Sequence, residues 1–191
     1  MNQSRQARLL LAVTGASGAL YAQRILDNVP TDQWEIHVML SSYATSVINE
    51  ELPGGLTLPP GAQQHSSKSM NVPFASGSSV ADAMVIAPCS MGTLGRLAQG
   101  SSDDALLRCA DVTLKERRPL ILVPRETPIH LIHARNMVTM LEAGAVLIPA
   151  SPSFYTRPQS VEAVVDTVVG RILDHLRVEH QLAPRWGESA E

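Results

Sequence analysis

The sequence has few cysteines, little net charge and no long apolar run, and each shortage excludes a class of protein. Its 191 residues include only two cysteines, Cys89 and Cys109, and no C-x-x-C motif, so we expect reduced thiols rather than disulfides or a zinc site. A net charge of -3 gives no reason to expect nucleic acid as a partner. The first apolar run, residues 9–13, is too short to cross a bilayer and lacks a signal-peptide cleavage pattern. We therefore expect a cytoplasmic protein that binds neither a membrane nor a metal.

Two common nucleotide-binding motifs are also missing. The chain has no G-x-x-x-x-G-K-[ST] loop, which excludes a P-loop nucleotide hydrolase. Residues 14–19 read T-G-A-S-G-A rather than G-x-G-x-x-G, and Ser41 and Ser42 stand where a dinucleotide fold would place an acid for the ribose. NAD is therefore disfavoured as a ligand.

The apolar residues that are present follow an alternating pattern of strands and helices. Short apolar runs predict strands at residues 9–14, 36–40, 84–88, 120–124 and 145–149. Helical spacing is clearest at residues 19–29, 105–114, 129–143 and 160–176. This alternation predicts a single α/β domain over residues 1–191, with a doubly wound, mostly parallel sheet in a Rossmann-like or flavodoxin-like three-layer sandwich. The long irregular segment 52–79 is expected to be a lid or a subunit contact.

Small and hydroxyl-bearing residues follow the predicted first and third strands. The carboxyl ends of parallel strands meet at one edge of a sheet, which is where such sheets hold their ligands. The first turn, residues 14–19, and the turn that supplies Ser90, Gly92 and Thr93 each lead straight into a helix. Backbone N–H groups at such helix starts favour a phosphate, so the two turns together predict a mononucleotide across the switch point of the sheet.

Charged side chains are expected at the same edge. Arg125 and Glu126 follow the wholly apolar run 120–124 directly, which puts a cation and an acid at the carboxyl end of a buried strand. Glu51 is a second acid that could donate or accept a proton. Further candidate cations are Arg108, Lys115 and Arg171.

Three more side chains are of types that can bind a phosphate or a metal. Tyr155 lies in the loop after the last predicted strand, where a phenol can donate a hydrogen bond to a phosphate. His130 and His133 have helical i, i+3 spacing, but no carboxylate or cysteine stands near them in the sequence, so a metal role is not expected.

These motifs stand in a fixed order that is specific to one family. The blocks are V-T-G-A-S-G-A at 13–19, A-S-G-S at 75–78, P-C-S-M-G-T-L at 88–94, A-D-V-T-L-K-E-R-R-P at 110–119, V-P-R-E-T-P at 123–128, and F-Y with P-Q-S within 154–160. In this combination the chain closely resembles the flavin prenyltransferases of the UbiX family. Their flavoprotein fold is shared with phosphopantothenoylcysteine decarboxylases.

The resemblance implies a reaction and a set of site residues. The family joins a dimethylallyl group from dimethylallyl phosphate to reduced FMN, first at N5 and then at C6, and passes the prenylated FMN to a partner decarboxylase without using a metal. The family pattern assigns FMN binding to Gly15, Ala16, Ser17, Ser41, Ser90, Met91, Gly92, Thr93 and Arg125. It assigns the donor phosphate to Lys115, Arg125, Tyr155 and Arg171, and catalysis to Ser17, Glu51, Glu126 and Lys115.

The resemblance also implies a homo-oligomer, commonly a dodecamer built from trimers, with active sites at subunit contacts. Residues 177–191 would then form a C-terminal tail at a subunit interface, where Trp186 would cover a neighbour's site. The chain departs from the family at Met70, which stands where an aromatic residue is often found, and in its shorter segment 52–75. The size of the prenyl donor, and whether it carries one phosphate or two, therefore stay open.

Two other functions share the same fold and stay open on sequence grounds. One is an FMN-dependent decarboxylase of cysteine conjugates, which typically relies on an active-site histidine and an asparagine-rich motif. This chain has Arg108, Lys115 and Tyr155 instead. The other is a non-catalytic FMN carrier subunit, and the presence of Glu126 and Lys115 argues against it.

Overall fold

Six parallel strands form one sheet at the centre of the protein. The computed structural model describes residues 5–182. The strands are β1 (Ala7–Val13), β2 (Trp34–Leu40), β3 (Gln63–Ser66), β4 (Ala83–Cys89), β5 (Leu120–Pro124) and β6 (Val146–Leu147). Their order across the sheet is β3-β2-β1-β4-β5-β6, and every neighbouring pair is parallel. Because chain order runs outward in both directions from β1 and β4, the predicted doubly wound fold is confirmed, with its switch point between these two strands.

Helices cover both faces of the sheet and complete the predicted three layers. Along β1, Leu9 and Leu11 join the apolar core under the first and last helices, while Leu10 and Ala12 join the core on the opposite face. All four side chains are fully buried, which is why this strand reads as a continuous apolar run. The helices are α1 (Ala19–Asn28), α2 (Ala44–Glu51), α3 (Met91–Ala98), α4 (Ala105–Lys115), α5 (Leu131–Glu142) and α6 (Val161–Leu176).

The predicted elements all exist, with ends that differ by a few residues, but two elements were not predicted. The short helix α2 carries little apolar periodicity beyond Ile48. The strand β3, Gln-Gln-His-Ser, is hydrophilic and lies inside segment 52–79, so an apolar search could not find it. That segment is thus partly a sheet edge rather than wholly irregular.

Two histidine rings help to hold β3 against β2. His37 Nδ1 lies 2.8 Å from His65 Nε2, and the His37 side chain is 3% exposed. Burial is the main cause that lowers the pKa of both imidazoles. Burial therefore favours the neutral form of both rings, and the hydrogen bond between them requires that the accepting nitrogen carry no proton.

The pair His130 and His133 has a structural role at the start of α5. His130 precedes the helix, and its Nδ1 accepts a hydrogen bond from the backbone N–H of His133 at 3.4 Å. The two rings stack with their centroids 3.5 Å apart. This cap explains why α5 begins at Leu131 instead of at residue 129.

The first part of the predicted C-terminal tail packs against its own subunit. Val178 is 3% exposed and lies in the core between the sheet and α6, and Leu182 packs against the same core. Residues 177–182 are thus fixed to α6 by apolar contacts. Trp186 and the rest of the tail, residues 183–191, lie outside the described residues, so their place at an interface stays a prediction.

Both cysteines are free and buried. Burial raises the pKa of Cys89 and of Cys109 to about 12, so neither thiol ionises near neutral pH. Within residues 5–182, no helix is both long and apolar enough to cross a membrane.

Candidate functional site

A cleft of about 690 Å³ opens at the carboxyl edge of the sheet, at the switch point between β1 and β4. This volume falls within the range of small-molecule sites. Of the residues predicted to bind FMN, five line the cleft: Gly15, Ser41, Ser90, Gly92 and Thr93. The exits of β1, β2 and β4 therefore meet around one space, as the sequence predicted.

Thr14 ties the exits of β1 and β4 together. Its hydroxyl donates a hydrogen bond to the Pro88 carbonyl at 2.8 Å and accepts one from the Ser90 backbone N–H, also at 2.8 Å. Thr14 is fully buried, so these bonds are shielded from water. The two turns that flank the cleft are thus held in one fixed geometry.

The start of α3 presents backbone N–H groups to the cleft. Ser90 precedes the helix, and its hydroxyl accepts a hydrogen bond from the Thr93 backbone N–H at 3.2 Å. The first N–H groups of a helix have no partner within it, and together with the helix dipole they attract an anion. Met91 was also predicted to bind FMN, but its side chain is 5% exposed and lies in the apolar core. Only its backbone can face a ligand.

Ser41 provides an independent sign that a polar ligand belongs in the cleft. Its hydroxyl oxygen is buried and has no hydrogen-bond partner within the described residues. Buried polar groups are nearly always paired, so this hydroxyl fits a hydrogen bond to a bound molecule. Gly15 approaches Tyr43 closely, since a Cβ added to Gly15 would lie 2.5 Å from Tyr43 Cβ. The residues present therefore fit a flat, polar-edged group such as FMN.

Glu51 fixes the turn between β1 and α1. Its carboxylate accepts hydrogen bonds from the backbone N–H groups of Gly18 at 2.8 Å and Ala19 at 2.7 Å, and another from the Ser17 hydroxyl. Burial by itself would raise the pKa of Glu51, but these hydrogen bonds and the charge of Arg125 outweigh burial and lower it. Glu51 is therefore an anion near neutral pH, which suits a residue that orients Ser17 better than a proton donor.

Glu51→Gln should lower the free energy of unfolding by about 1 kcal/mol, because it removes a charged cap at the start of α1. Because folding lowers the pKa of Glu51, its carboxylate stabilises the folded protein fully above the unfolded pKa of 4.5. This stabilisation is lost as the pH falls through the folded pKa. The gap between wild type and variant should thus be largest above pH 4.5 and shrink in more acidic solution. Urea unfolding across pH measures it, with the exposed neighbour Glu50→Gln as the control. A gap that stays constant down to the acid limit would contradict this account.

Arg125 and Glu126 line a second cavity, of about 550 Å³, beyond the exit of β5. The Arg125 backbone N–H donates to the Cys89 carbonyl at 3.2 Å, which places this exit beside that of β4. The guanidinium is close enough to lower the pKa of Glu51. Glu126 Oε1 accepts a hydrogen bond from the Thr127 backbone N–H at 3.0 Å. The predicted cation and acid thus lie at the carboxyl edge, as expected from the sequence.

Lys115, in contrast, lies at the opposite edge of the sheet. It ends α4, an 11-residue helix that starts beside the cleft after Asp104 and runs about 16 Å toward the amino ends of the strands. Its Nζ lies 2.5 Å from Glu116 Oε1 and packs beside Gly77. Arg108, on the same helix, is bound to the Ala75 carbonyl and to Asp111. A single subunit therefore does not bring Lys115 to its own cleft.

Tyr155, in the loop before α6, and Arg171, on α6, line neither cavity. The Ser153 backbone N–H donates to the Thr167 hydroxyl at 3.1 Å, which draws the loop before α6 back along that helix. Arg171 follows ten residues after the start of α6 at Val161, or about 15 Å along it. The Arg171 side chain is 69% exposed, and Tyr155 is 64% exposed. The predicted phosphate-binding residues are therefore split among separate surfaces of one subunit.

Six residues that line the cleft escaped the sequence analysis: Tyr43, Ser67, Lys68, Arg96, Asp103 and Asp104. Tyr43 and Lys68 belong to the parts of the chain around α2 and β3, which apolar patterns did not detect, and Arg96 reads as a surface residue of α3. A basic residue four positions after Gly92, on the same face of that helix, was the one available signal.

Two glycine substitutions distinguish an effect on the stability of the fold from an effect on FMN binding. Gly15→Ala forces a contact with a Cβ atom that cannot rotate away, so we expect about 1–3 kcal/mol of lost stability and lost FMN binding. Gly92→Ala meets no atom within 4 Å, so the fold should keep its stability while FMN binding weakens by about 1–3 kcal/mol. Thermal unfolding and flavin titration measure both quantities. Unchanged FMN affinity in Gly92→Ala would remove the start of α3 from the site.

The doubly wound sheet and the anion-accepting cleft at its switch point define a mononucleotide-binding α/β protein. A family model described as Flavoprotein matches residues 1–173. The "Flavin prenyltransferase UbiX" of Pseudomonas aeruginosa is 45% identical over 197 residues, which cover 95% of this chain and 94% of that protein. The chain belongs to the UbiX family of flavin prenyltransferases.

Solved structures show the same relationship. A crystal structure of AnUbiX in complex with FMN and dimethylallyl pyrophosphate is 39% identical, with a TM-score of 0.89 over 97% of this chain and 100% of that one. A dodecameric FMN-dependent UbiX-like decarboxylase from Escherichia coli O157:H7 is 35% identical, with a TM-score of 0.86 over 95% of this chain and 100% of that one. A phosphopantothenoylcysteine (PPC) decarboxylase mutant is 20% identical with a TM-score of 0.67, a likeness of fold alone.

Proposed function

We propose that this protein transfers a dimethylallyl group from dimethylallyl phosphate to N5 and C6 of reduced FMN, releasing phosphate and forming prenylated FMN. The observation that carries this proposal is the cleft at the β1–β4 switch point, where a buried Ser41 hydroxyl lacks a partner within residues 5–182 and the start of α3 lines the same space. The similar UbiX structure holds FMN together with a prenyl donor. FMN is therefore the ligand that best fits the cleft.

The cleft residues would hold FMN by its polar edges. Ser90, Gly92 and Thr93 surround the start of α3, where backbone N–H groups and the helix dipole favour the FMN phosphate. Ser41 would exchange a hydrogen bond with the ring system. The lack of a side chain at Gly15 lets Tyr43 pack closely against the backbone there. The predicted contacts of Ala16 and Met91 would come from their backbones. Ser17, held by Glu51, would face the reacting edge.

The chemistry requires fixed positive charge at the leaving group. When bound, reduced FMN would supply N5 as the nucleophile while the allylic C–O bond breaks with its electron pair going to the phosphate. Closure at C6 would then use the prenyl double bond, with one proton added to the prenyl group and the C6 proton lost. Cations and a phenolic donor stabilise that charge most strongly where water is excluded. Arg125 is the predicted cation nearest the cleft, and Glu126 beside it is placed to take or return a proton. Lys115, Tyr155 and Arg171 would complete the phosphate site.

The separation of these residues within one subunit supports an active site built between subunits. Lys115 can reach a cleft only in a neighbouring copy, because its own cleft lies at the other end of α4. Helix α5 offers a surface for such contact, since Leu131, Ile132, Val138 and Leu141 are each more than half exposed. Exposed apolar residues clustered on one helix mark an interaction surface. We infer a homo-oligomer, as the predicted dodecamer requires, and the similar dodecameric structure supports it.

The product would leave for a partner decarboxylase that uses prenylated FMN, and the reaction would take place in the cytoplasm. The free, buried thiols of Cys89 and Cys109 support a reducing compartment.

Anaerobic incubation with reduced FMN and dimethylallyl phosphate tests the proposed function. Mass spectrometry of the extracted flavin should show a gain of one prenyl group, and free phosphate should rise in step. Dimethylallyl diphosphate in a parallel reaction identifies the donor. Release of carbon dioxide from a cysteine conjugate, without any prenylated flavin, would instead support the decarboxylase. Flavin binding with neither product would support a carrier.

A further inference from the structure

Arg171, which the proposed function assigns to the donor phosphate, is the first residue of a chain of polar contacts at the end of α6. Its Nη1 lies 3.1 Å from Asp174 Oδ2, one turn further along the helix. An exposed ion pair of this kind contributes little to stability and does not by itself orient a long side chain. What distinguishes this pair is the position of Asp174.

Asp174 is held from its other side by a buried histidine. Its Oδ1 lies 3.3 Å from His180 Nε2, and the His180 side chain is 6% exposed. The Leu182 backbone N–H donates to His180 Nδ1 at 3.3 Å, so Nδ1 has no proton. The proton of the neutral ring is therefore on Nε2, which donates to Asp174. This leaves Oδ2 directed at Arg171.

Gly170 makes room for this histidine. A Cβ added to Gly170 would lie 2.9 Å from His180 Cε1, so the ring covers the backbone of α6 at that position. Glycine inside a helix is destabilising relative to alanine, and α6 is otherwise a regular 16-residue helix. The contact with His180 explains why glycine occupies this position. Val178 and Leu182 anchor the same segment in the apolar core.

We propose that Asp174 and His180 are positioning residues that aim the Arg171 guanidinium at the phosphate of the prenyl donor. The inference rests on the proposed function, because it takes the phosphate role of Arg171 from there. A guanidinium has five N–H donors, and the bond to Asp174 occupies one side of the group while the others stay available for phosphate oxygens. A side chain that is already oriented loses less entropy when the phosphate binds. The docked segment 177–182 thus becomes part of the donor site without touching the donor.

Steady-state kinetics of three variants test this role. Asp174→Asn, His180→Gln and Gly170→Ala should each raise the KM for dimethylallyl phosphate on the order of tenfold, while the Kd for FMN stays at the wild-type value. Gly170→Ala is the sharpest of the three, since alanine favours the helix and yet displaces the ring. His175→Gln, an exposed histidine on the same helix, is the matched control and should keep the wild-type KM.

A double-mutant cycle separates positioning from a purely structural role. In an Arg171→Ala background, Asp174→Asn should raise the KM no further, because the group it orients is gone. Additive effects, or a lowered melting temperature with an unchanged donor KM, would overturn the proposal. If the wild type makes no prenylated FMN, the proposed function fails separately. Calorimetric binding of dimethylallyl phosphate to the same variants then tests the inference, and equal affinity in wild type and Asp174→Asn would reject it.

Discussion

Lys115→Ala should lower the rate of prenyl transfer by about 10²–10³-fold while FMN remains bound, since it removes one fixed cation from the charge that develops on phosphate. The fold should be nearly unaffected, because Lys115 makes an exposed pair with Glu116 at the surface of α4. Single-turnover mass spectrometry of the flavin, with FMN binding measured in parallel, gives both quantities. Arg5→Ala, which removes another exposed cation at the amino edge, is the control and should transfer at the wild-type rate.

The position of Lys115 adds a stronger test of the same prediction. If its charge serves a neighbouring subunit's cleft, Lys115→Ala and Gly15→Ala disable different halves of a shared site. Subunits of the two variants, mixed during refolding, should then regain part of the activity that neither homo-oligomer has. No recovery in oligomers shown by mass spectrometry to be mixed would mean that Lys115 does not act across a subunit contact.

Glu126→Gln should slow transfer by about 10²–10⁴-fold, the usual contribution of a positioned acid or base. The variant keeps the size and hydrogen-bonding shape of the side chain, including an oxygen for the Thr127 backbone N–H, but cannot exchange a proton. FMN affinity should be unchanged, because Glu126 lines the second cavity and not the cleft. Rapid-quench analysis of prenylated FMN in anaerobic single turnovers measures the effect.

Two companion variants define what the Glu126 result means. Glu126→Asp retains the carboxyl group and should recover part of the rate, whereas Glu142→Gln, an exposed residue of α5, should behave as wild type. Turnover by Glu126→Gln at the wild-type rate would remove Glu126 from proton transfer. The role would then fall to another group near the cleft.

Much of the fold could be predicted because buried parallel strands appear in the sequence as continuous apolar runs. The strand predicted at residues 120–124 matches β5 to the residue, and the helix predicted at 105–114 differs from α4 by one. The failure at β3 has a physical cause. β3 is fixed by the partly buried His37–His65 contact and by backbone pairing to β2, neither of which needs apolar side chains along the strand.

The candidate site could be predicted only where the fold itself brings strand ends together. Gly15, Ser41 and Ser90 follow three parallel strands, so their meeting is a consequence of topology. Lys115 was grouped with them by the family pattern, which records residues of a reaction and not the subunit from which each comes. The Ser41 hydroxyl, unpaired within the described part of the chain, and the Asp174–His180 contact depend on exact packing and have no sequence signal.

By itself, the sequence determined the class of fold, the switch-point edge as the place for chemistry and the family, because periodicity and short turn motifs act locally along the chain. The tertiary structure alone decided which predicted residues share a cleft. It placed Arg125 and Glu126 in a second cavity at the carboxyl edge of the sheet and put Lys115 about one helix length away at the opposite edge. It also brought Arg171 and His180 into contact with Asp174 at the end of α6. These outcomes depend on the direction in which each helix crosses the sheet, a long-range property that no local pattern encodes.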